Sequence, residues 1–269
     1  MKTDDMDSYF KGEKLYGDDF NLFKIEEWFN DEKEGYADLG AKDKDKYTYE
    51  YHALNYFYGF KYLPKQTYSC ILGFGSAYGD ELKPISKYAK KIIILEPSDS
   101  FLTTNLTGEN VEYVKPSIDG LMSFEDNSLD IITCFSVLHH IPNVSTVLKE
   151  MFRCLKPGGY LLVREPTVSM GDWRTTRIGL TKRERGIPLK IFEQIIRSSG
   201  FKILVFNRCG FSLTSRLRFF VKGPIYNSMK VVYIDKLLSG IFSFNKTYHA
   251  KNILQKFRPT SVFYILSKE

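Results

Sequence analysis

Ser69 to Leu82 reads SCILGFGSAYGDEL, an apolar run that breaks into a glycine-rich turn and then into polar residues. Glycines at such a junction let backbone N–H groups approach a ligand with no Cβ in the way. A second apolar run, KIIILEPS from Lys91 to Ser98, ends in the acid Glu96. An acid there suits a ribose, because one carboxylate can accept from two vicinal hydroxyls. Farther along, Ser128 to Asn143 reads SLDIITCFSVLHHIPN, and Leu155 to Pro166 reads LKPGGYLLVREP. The turn alone decides nothing, since Gly73-x-Gly75-x-x-x-Gly79 also satisfies a dinucleotide reading.

Outward from the turn the pattern alternates strand and helix. Strands are expected over Ser69–Phe74, Lys91–Glu96, Val111–Val114, Ile131–Phe135, Tyr160–Arg164, Phe201–Asn207 and Ser261–Leu266. Helices fall between them at Asp80–Tyr88, Val144–Cys154 and Leu189–Ser199, with Gly200 as a C-cap and Pro157-Gly158-Gly159 as a turn. Strands at this pitch make a mainly parallel sheet covered on both faces. Residues 1–65 read as an N-terminal helical cap, with an exposed linker from Lys33 to Lys46. Residues 66–269 read as the catalytic-type domain, with surplus segments at 167–188 and 210–258.

Size and composition bound the rest. A chain of 269 residues with 43% hydrophobic and 26% charged residues can bury a full core. A net charge of +6 permits an acidic partner without demonstrating one. The four cysteines have no metal-ligand spacing and read as small buried hydrophobes, so no metal is expected. The N-terminus has no apolar core of a secretory signal, and no apolar run reaches the ~20 residues a bilayer needs. A reduced, cytoplasmic protein is the expectation. No known RNA- or DNA-binding module is recognisable, so no nucleic-acid partner is expected.

In this order the segments resemble the core of a class I S-adenosylmethionine-dependent methyltransferase, over roughly residues 68 to 208 plus the final strand. The resemblance implies an α/β Rossmann-like, doubly wound seven-stranded sheet with an antiparallel last strand, here with a helical cap and a late insertion. It implies S-adenosylmethionine as cofactor, held by Gly73, Gly75, Ala77, Gly79, Glu96, Pro97, Asp119 and Phe135. Two positions depart from the family pattern: Ala77 replaces the middle glycine at little cost, and Gly73 replaces an acid before the turn. Asp80 or a residue of the N-terminal segment is the expected compensation for Gly73.

Methyl transfer to oxygen needs alignment, exclusion of water and a proton acceptor. His139 and Glu165 are the candidate catalytic residues, while His140 reads as structural. The segment 167–188 carries Trp173, Arg174, Arg177, Arg183 and Arg185, a set suited to a sugar bearing phosphate. Its wording also resembles methyltransferases of bacterial surface-polysaccharide pathways, which implies a small glycan or nucleotide-sugar acceptor. Residues 216–244 mix bases with apolar residues, as a lid, a homodimer face or a peripheral membrane contact would. The other functional classes are a non-catalytic cofactor-binding scaffold and an RNA methyltransferase.

Overall fold

The computed structural model describes every residue except 1, 2, 102–104, 107, 108, 174, 215, 217, 218 and 220. Its centre is an apolar parallel sheet. Strands β1 (Ile71–Phe74), β2 (Ile92–Leu95), β3 (Asn105–Leu106) and β4 (Glu109–Val114) form one half. Strands β5 (Leu129–Phe135), β6 (Leu155–Pro166), β7 (Lys202–Phe211) and β8 (Pro259–Ser267) form the other. The order is β3-β4-β2-β1-β5-β6-β8-β7. β8 runs antiparallel to both β6 and β7. This is the expected seven-stranded α/β methyltransferase fold with an antiparallel last strand, plus the two-residue β3 antiparallel to β4 at one edge.

The continuous apolar runs of β1 and β2 are buried at every position, as strands covered on both faces must be. β1 pairs with β2 on one side and β5 on the other, so the chain reverses its winding between β1 and β5. The crevice above such a reversal is where open α/β sheets hold ligands.

Helices α1 (Thr3–Lys11), α2 (Leu22–Glu32) and α3 (His52–Tyr58) belong to the N-terminal segment. One face of the sheet packs against α5 (Val144–Cys154) and α6 (Leu189–Ser198). In α5, Val144, Val147, Leu148, Met151 and Cys154 form the buried stripe, the spacing of one helix face. The other face is covered by α3 and by α7 (Met229–Ile241), from the late insertion. Asp235 fixes α7 there, accepting from the Gly210 and Phe211 amides, the Thr214 hydroxyl and the Tyr226 hydroxyl.

Three local expectations change. The helix anticipated at Asp80–Tyr88 is a 3-10 turn, Asp80–Leu82, followed by the single turn α4 (Lys83–Ser86), with Pro84 near its start. Pro157-Gly158-Gly159 lies inside the long strand β6 rather than before it. Lys33–Lys46 is not wholly linker: Ala37–Ala41 forms a π-helical turn, with Ala37 buried.

All four cysteines are free thiols. Among the described residues no helix is long and apolar enough to cross a membrane. On α7, Tyr233, Leu237 and Ile241 are exposed at one-turn spacing.

Candidate active site

The glycine-rich turn begins where β1 ends. Gly75 and Gly79 both adopt left-handed backbone, at φ +65° and +77°. A Cβ on Gly75 would lie 2.5 Å from the Val137 side chain, and one on Gly79 2.6 Å from Ile94. Both positions therefore demand glycine for conformation and for space. Ala77 also sits left-handed, at φ 48°, a conformation that costs an L-residue about 1–2 kcal/mol. Its substitution for glycine is thus less benign than size alone suggests.

Glu96 reaches across from the end of β2. Its carboxylate accepts from the Ala77 amide at 3.0 Å and the Ser98 amide at 3.1 Å, so it braces the turn from the strand next door. Burial raises its pKa against these two bonds. A carboxylate has about four lone-pair sites, so two remain for other donors.

Beside the turn lies an apolar cleft of about 110 Å³. Phe74, Gly75, Leu95, Pro97, Ile118 and Val137 form its floor and walls, and Ile25, Phe29 and Glu32 of α2 close it from above. Asp119 does not line this cleft. Its carboxylate, held at lowered pKa by bonds to Ser117 and the Leu121 amide, closes its own turn, while Ser117 and Ile118 face the cavity. Phe135 packs into the core between Phe60 and Phe263, on the face covered by α3.

The two catalytic candidates hold each other. Glu165 is fully buried and accepts from the Val137 and Leu138 amides at 2.8 and 2.9 Å and from the His139 amide at 3.3 Å. Its other close partner is His139 Nδ1, at 2.8 Å. Burial, then the neighbouring His140, lowers the His139 pKa even with that carboxylate at hand. Glu165 therefore pins the turn after β5 to β6, and neither side chain lines the cleft. His140 does line it, and its Nδ1 lies 2.7 Å from Glu32 of α2. His139, His140 and Glu184 bring ligand-type atoms within 4.8 Å of one another, and both Nδ1 atoms face carboxylates, Glu165 for His139 and Glu32 for His140.

The arginines of 167–188 are engaged by the protein. Arg185 is fully buried, spending its guanidinium on the carbonyls of Tyr16, Leu138, His139, Ile141 and Pro142, and burial lowers its pKa to about 10. Arg177 binds the carbonyls of Met170, Glu184, Thr181 and Lys182. Arg183 pairs with Asp31 of α2. Trp173 stacks on Phe10 and Tyr16. Arg174 lies outside the described residues. The segment thus ties the cap down.

Sequence reasoning missed a cluster of buried polar side chains on the α3 side, at the carboxyl ends of β1, β5 and β6. Gly73 cannot carry a side chain: a Cβ there would meet Ser76 Oγ at 2.4 Å. That hydroxyl donates to Glu81 Oε1 at 2.8 Å, and the Thr133 hydroxyl donates to the same oxygen at 2.7 Å. Asp80, the expected compensation, pairs instead with Lys83. Arg164 is 5% exposed, its guanidinium lies 3.8 Å from the Tyr51 ring centre, and its Nε has no hydrogen-bond partner. Tyr51 in turn stacks on Tyr226 from the insertion. The signal available in the sequence was an arginine at the end of an apolar strand, which reads as a surface residue until the cap is placed above it.

Comparison with known proteins agrees with this geometry. Residues 72–163 match the family described as "Methyltransferase domain". The chain is 38% identical over 53 residues to the ubiquinone biosynthesis O-methyltransferase of Pseudomonas fluorescens (strain Pf0-1), covering 20% of this chain and 23% of that protein. It is 37% identical over 83 residues to the ubiquinone/menaquinone biosynthesis C-methyltransferase UbiE of Cronobacter sakazakii, covering 28% and 32%. The chain therefore spans a third or less of these relatives' lengths. Among solved structures, Phospholethanolamine N-methyltransferase 2 of Haemonchus contortus, determined with phosphomonomethylethanolamine and S-adenosylhomocysteine, superposes with a TM-score of 0.58 at 16% identity. That superposition covers 91% of this chain and 60% of the other. The family match runs from β1 into β6, about a third of the chain, and the superposition shows that the fold is shared with a solved methyltransferase.

Proposed function

We propose that the chain transfers a methyl group from S-adenosylmethionine to oxygen on a small ring-bearing acceptor. The observation that carries this reading is the left-handed Gly75–Gly79 turn braced by Glu96 beside an apolar cleft. The residues fit the cofactor: a Cβ-free cradle, an acid with spare lone pairs and an apolar slot for a base. When bound, the cofactor supplies an electrophilic methyl on a sulfonium, whose positive charge disappears as the methyl leaves.

The protein's part is to align, to exclude water and to stabilise the nucleophile. Arg164 supports an acceptor that reacts as an oxyanion. A buried guanidinium with an unpaired donor lowers the pKa of a hydroxyl placed against it. The printed names of the curated relatives point to ring substrates of quinone pathways. A sugar-bearing acceptor has less support, because Arg177, Arg183 and Arg185, which motivated it, are engaged by the protein.

Calorimetric titration with S-adenosylmethionine, S-adenosylhomocysteine and NADH tests the cofactor. Micromolar binding of the first two, lost in Glu96→Ala, is expected; binding of NADH alone overturns the reading. Transfer of labelled methyl to phenolic or enolic ring compounds, in preference to nucleotide sugars, is the expected acceptor result. Labelling of nucleotide sugars alone would restore the glycan reading.

A further inference from the structure

We propose that Glu81 binds the ammonium of the cofactor's amino-acid end, occupying from the next turn of the chain the place that position 73 leaves bare. The proposal rests on the cofactor reading above and names a residue for it. Gly73 and Thr133 are register partners on adjacent parallel strands, so their side-chain positions share one face of the sheet. The space a side chain at 73 would need is taken by Ser76 Oγ. Ser76 and Thr133 both aim their hydroxyls at Glu81 Oε1, which fixes the carboxylate at that spot.

The carboxylate is incompletely satisfied. Glu81 is 4% exposed, both donors serve Oε1, and no described residue donates to Oε2. Oε2 is not sealed from solvent, so an incoming donor can reach it. Burial raises its pKa to about 7, opposed by the two hydroxyls and the Arg164 charge and reinforced by Glu96. From the cap, Tyr36, Tyr47 and Tyr49 face it. Arg164 is the one cation that acts on it from these elements, and it makes no hydrogen bond to it. An ammonium brings three donors and a full charge.

Position agrees with chemistry. Gly75 lines the apolar cleft that suits the adenosyl group, and the next residue, Ser76, holds Glu81. One ligand can therefore lay its base in the cleft, cross the turn and end its amino acid at Glu81. Pairing with a cation favours the ionised carboxylate, so near neutral pH the site should release protons to buffer as the ligand binds.

The test compares S-adenosylhomocysteine with 5′-methylthioadenosine, which keeps the thioether and adenosyl group but lacks the amino acid. Calorimetry on the full chain at pH 7, in two buffers of different ionisation enthalpy, reads affinity and proton release together. Glu81→Gln is expected to weaken S-adenosylhomocysteine about tenfold, to leave methylthioadenosine within about twofold, and to abolish the buffer-dependent heat. Glu81→Asp keeps the charge but withdraws it, and should show the same ligand selectivity if Gln misfolds. If the wild type binds neither ligand, the cofactor reading itself falls. If the wild type binds and Glu81→Gln changes both ligands equally, or neither, the role of Glu81 is overturned while the cofactor reading stands.

Discussion

His140 Nδ1 and Glu32 Oε2 meet at 2.7 Å across 108 residues of sequence, and this contact joins the roof of the cleft to the turn after β5. Around it, Thr181 donates to the same Glu32 oxygen, the Arg183 amide donates to Oε1, and Trp28 of α2 donates to the His140 carbonyl. The cap is thus latched to the segment that carries His139 and His140, and the latch is ionisable.

Its pH dependence has a definite sign. Burial pulls the His140 pKa down, but the bond to Glu32 and the charges of Glu184 and Glu32 leave it raised above 6.5. Burial pushes Glu32 up, but His140, Thr181 and the Arg183 amide leave it lowered below 4.5. The His140 contribution is complete below about pH 6.5 and fades as pH rises through its folded value; the Glu32 contribution is complete above about pH 4.5 and fades on acidification. Hydrogen exchange of the α2 amides, corrected for intrinsic rate, should show strongest protection between these limits and loosening above them. Glu32→Gln should flatten the profile.

Ala77→Gly should stabilise the protein by about 1 kcal/mol, because it relieves a left-handed alanine at φ 48°. Gly75→Ala should cost more than that, since its methyl would press on Val137 in a left-handed backbone. Urea denaturation of both variants checks the two signs.

Arg164→Met removes a guanidinium whose Nε is unpaired but whose plane lies over Tyr51, so stability should change by no more than about 2 kcal/mol. Affinity for S-adenosylmethionine should stay within about twofold while methyl transfer to the acceptor is lost. A fall in both stability and cofactor affinity would show that Arg164 serves the framework instead.

Glu165→Ala should destabilise by about 3 kcal/mol or more, since three amides and an imidazole lose their acceptor at once. His139→Gln should leave the pH dependence of turnover unmoved, as fits a residue that holds the turn. A shift in that profile would return His139 to the proton-transfer role.

The sheet was legible because its signals are local. Runs such as Ile92–Leu95 are apolar throughout only when both faces of a strand are covered, and α5 matched its expected Val144–Cys154 span because its apolar stripe repeats at helical spacing. Gly75, Gly79 and Glu96 were legible for the same reason: their conformational and chemical demands lie within the turn and its neighbouring strand. Local reading overran the helix expected over Asp80–Tyr88: it is a 3-10 turn followed by one α-turn that ends at Ser86.

The sequence by itself determined the parallel core and the glycine turn at its first strand, while the antiparallel close of the sheet was implied by the family resemblance. Tertiary structure alone decided which charges are free to act. Arg177, Arg183 and Arg185 looked available in a basic loop, yet carbonyls and Asp31 of distant segments claim them. Folding buries Arg164 with its Nε unpaired and sets the Ser76 and Thr133 hydroxyls on one oxygen of Glu81. The physical reason is that hydrogen-bond satisfaction and desolvation are set by groups far apart in the chain, and no pattern of neighbouring letters encodes them.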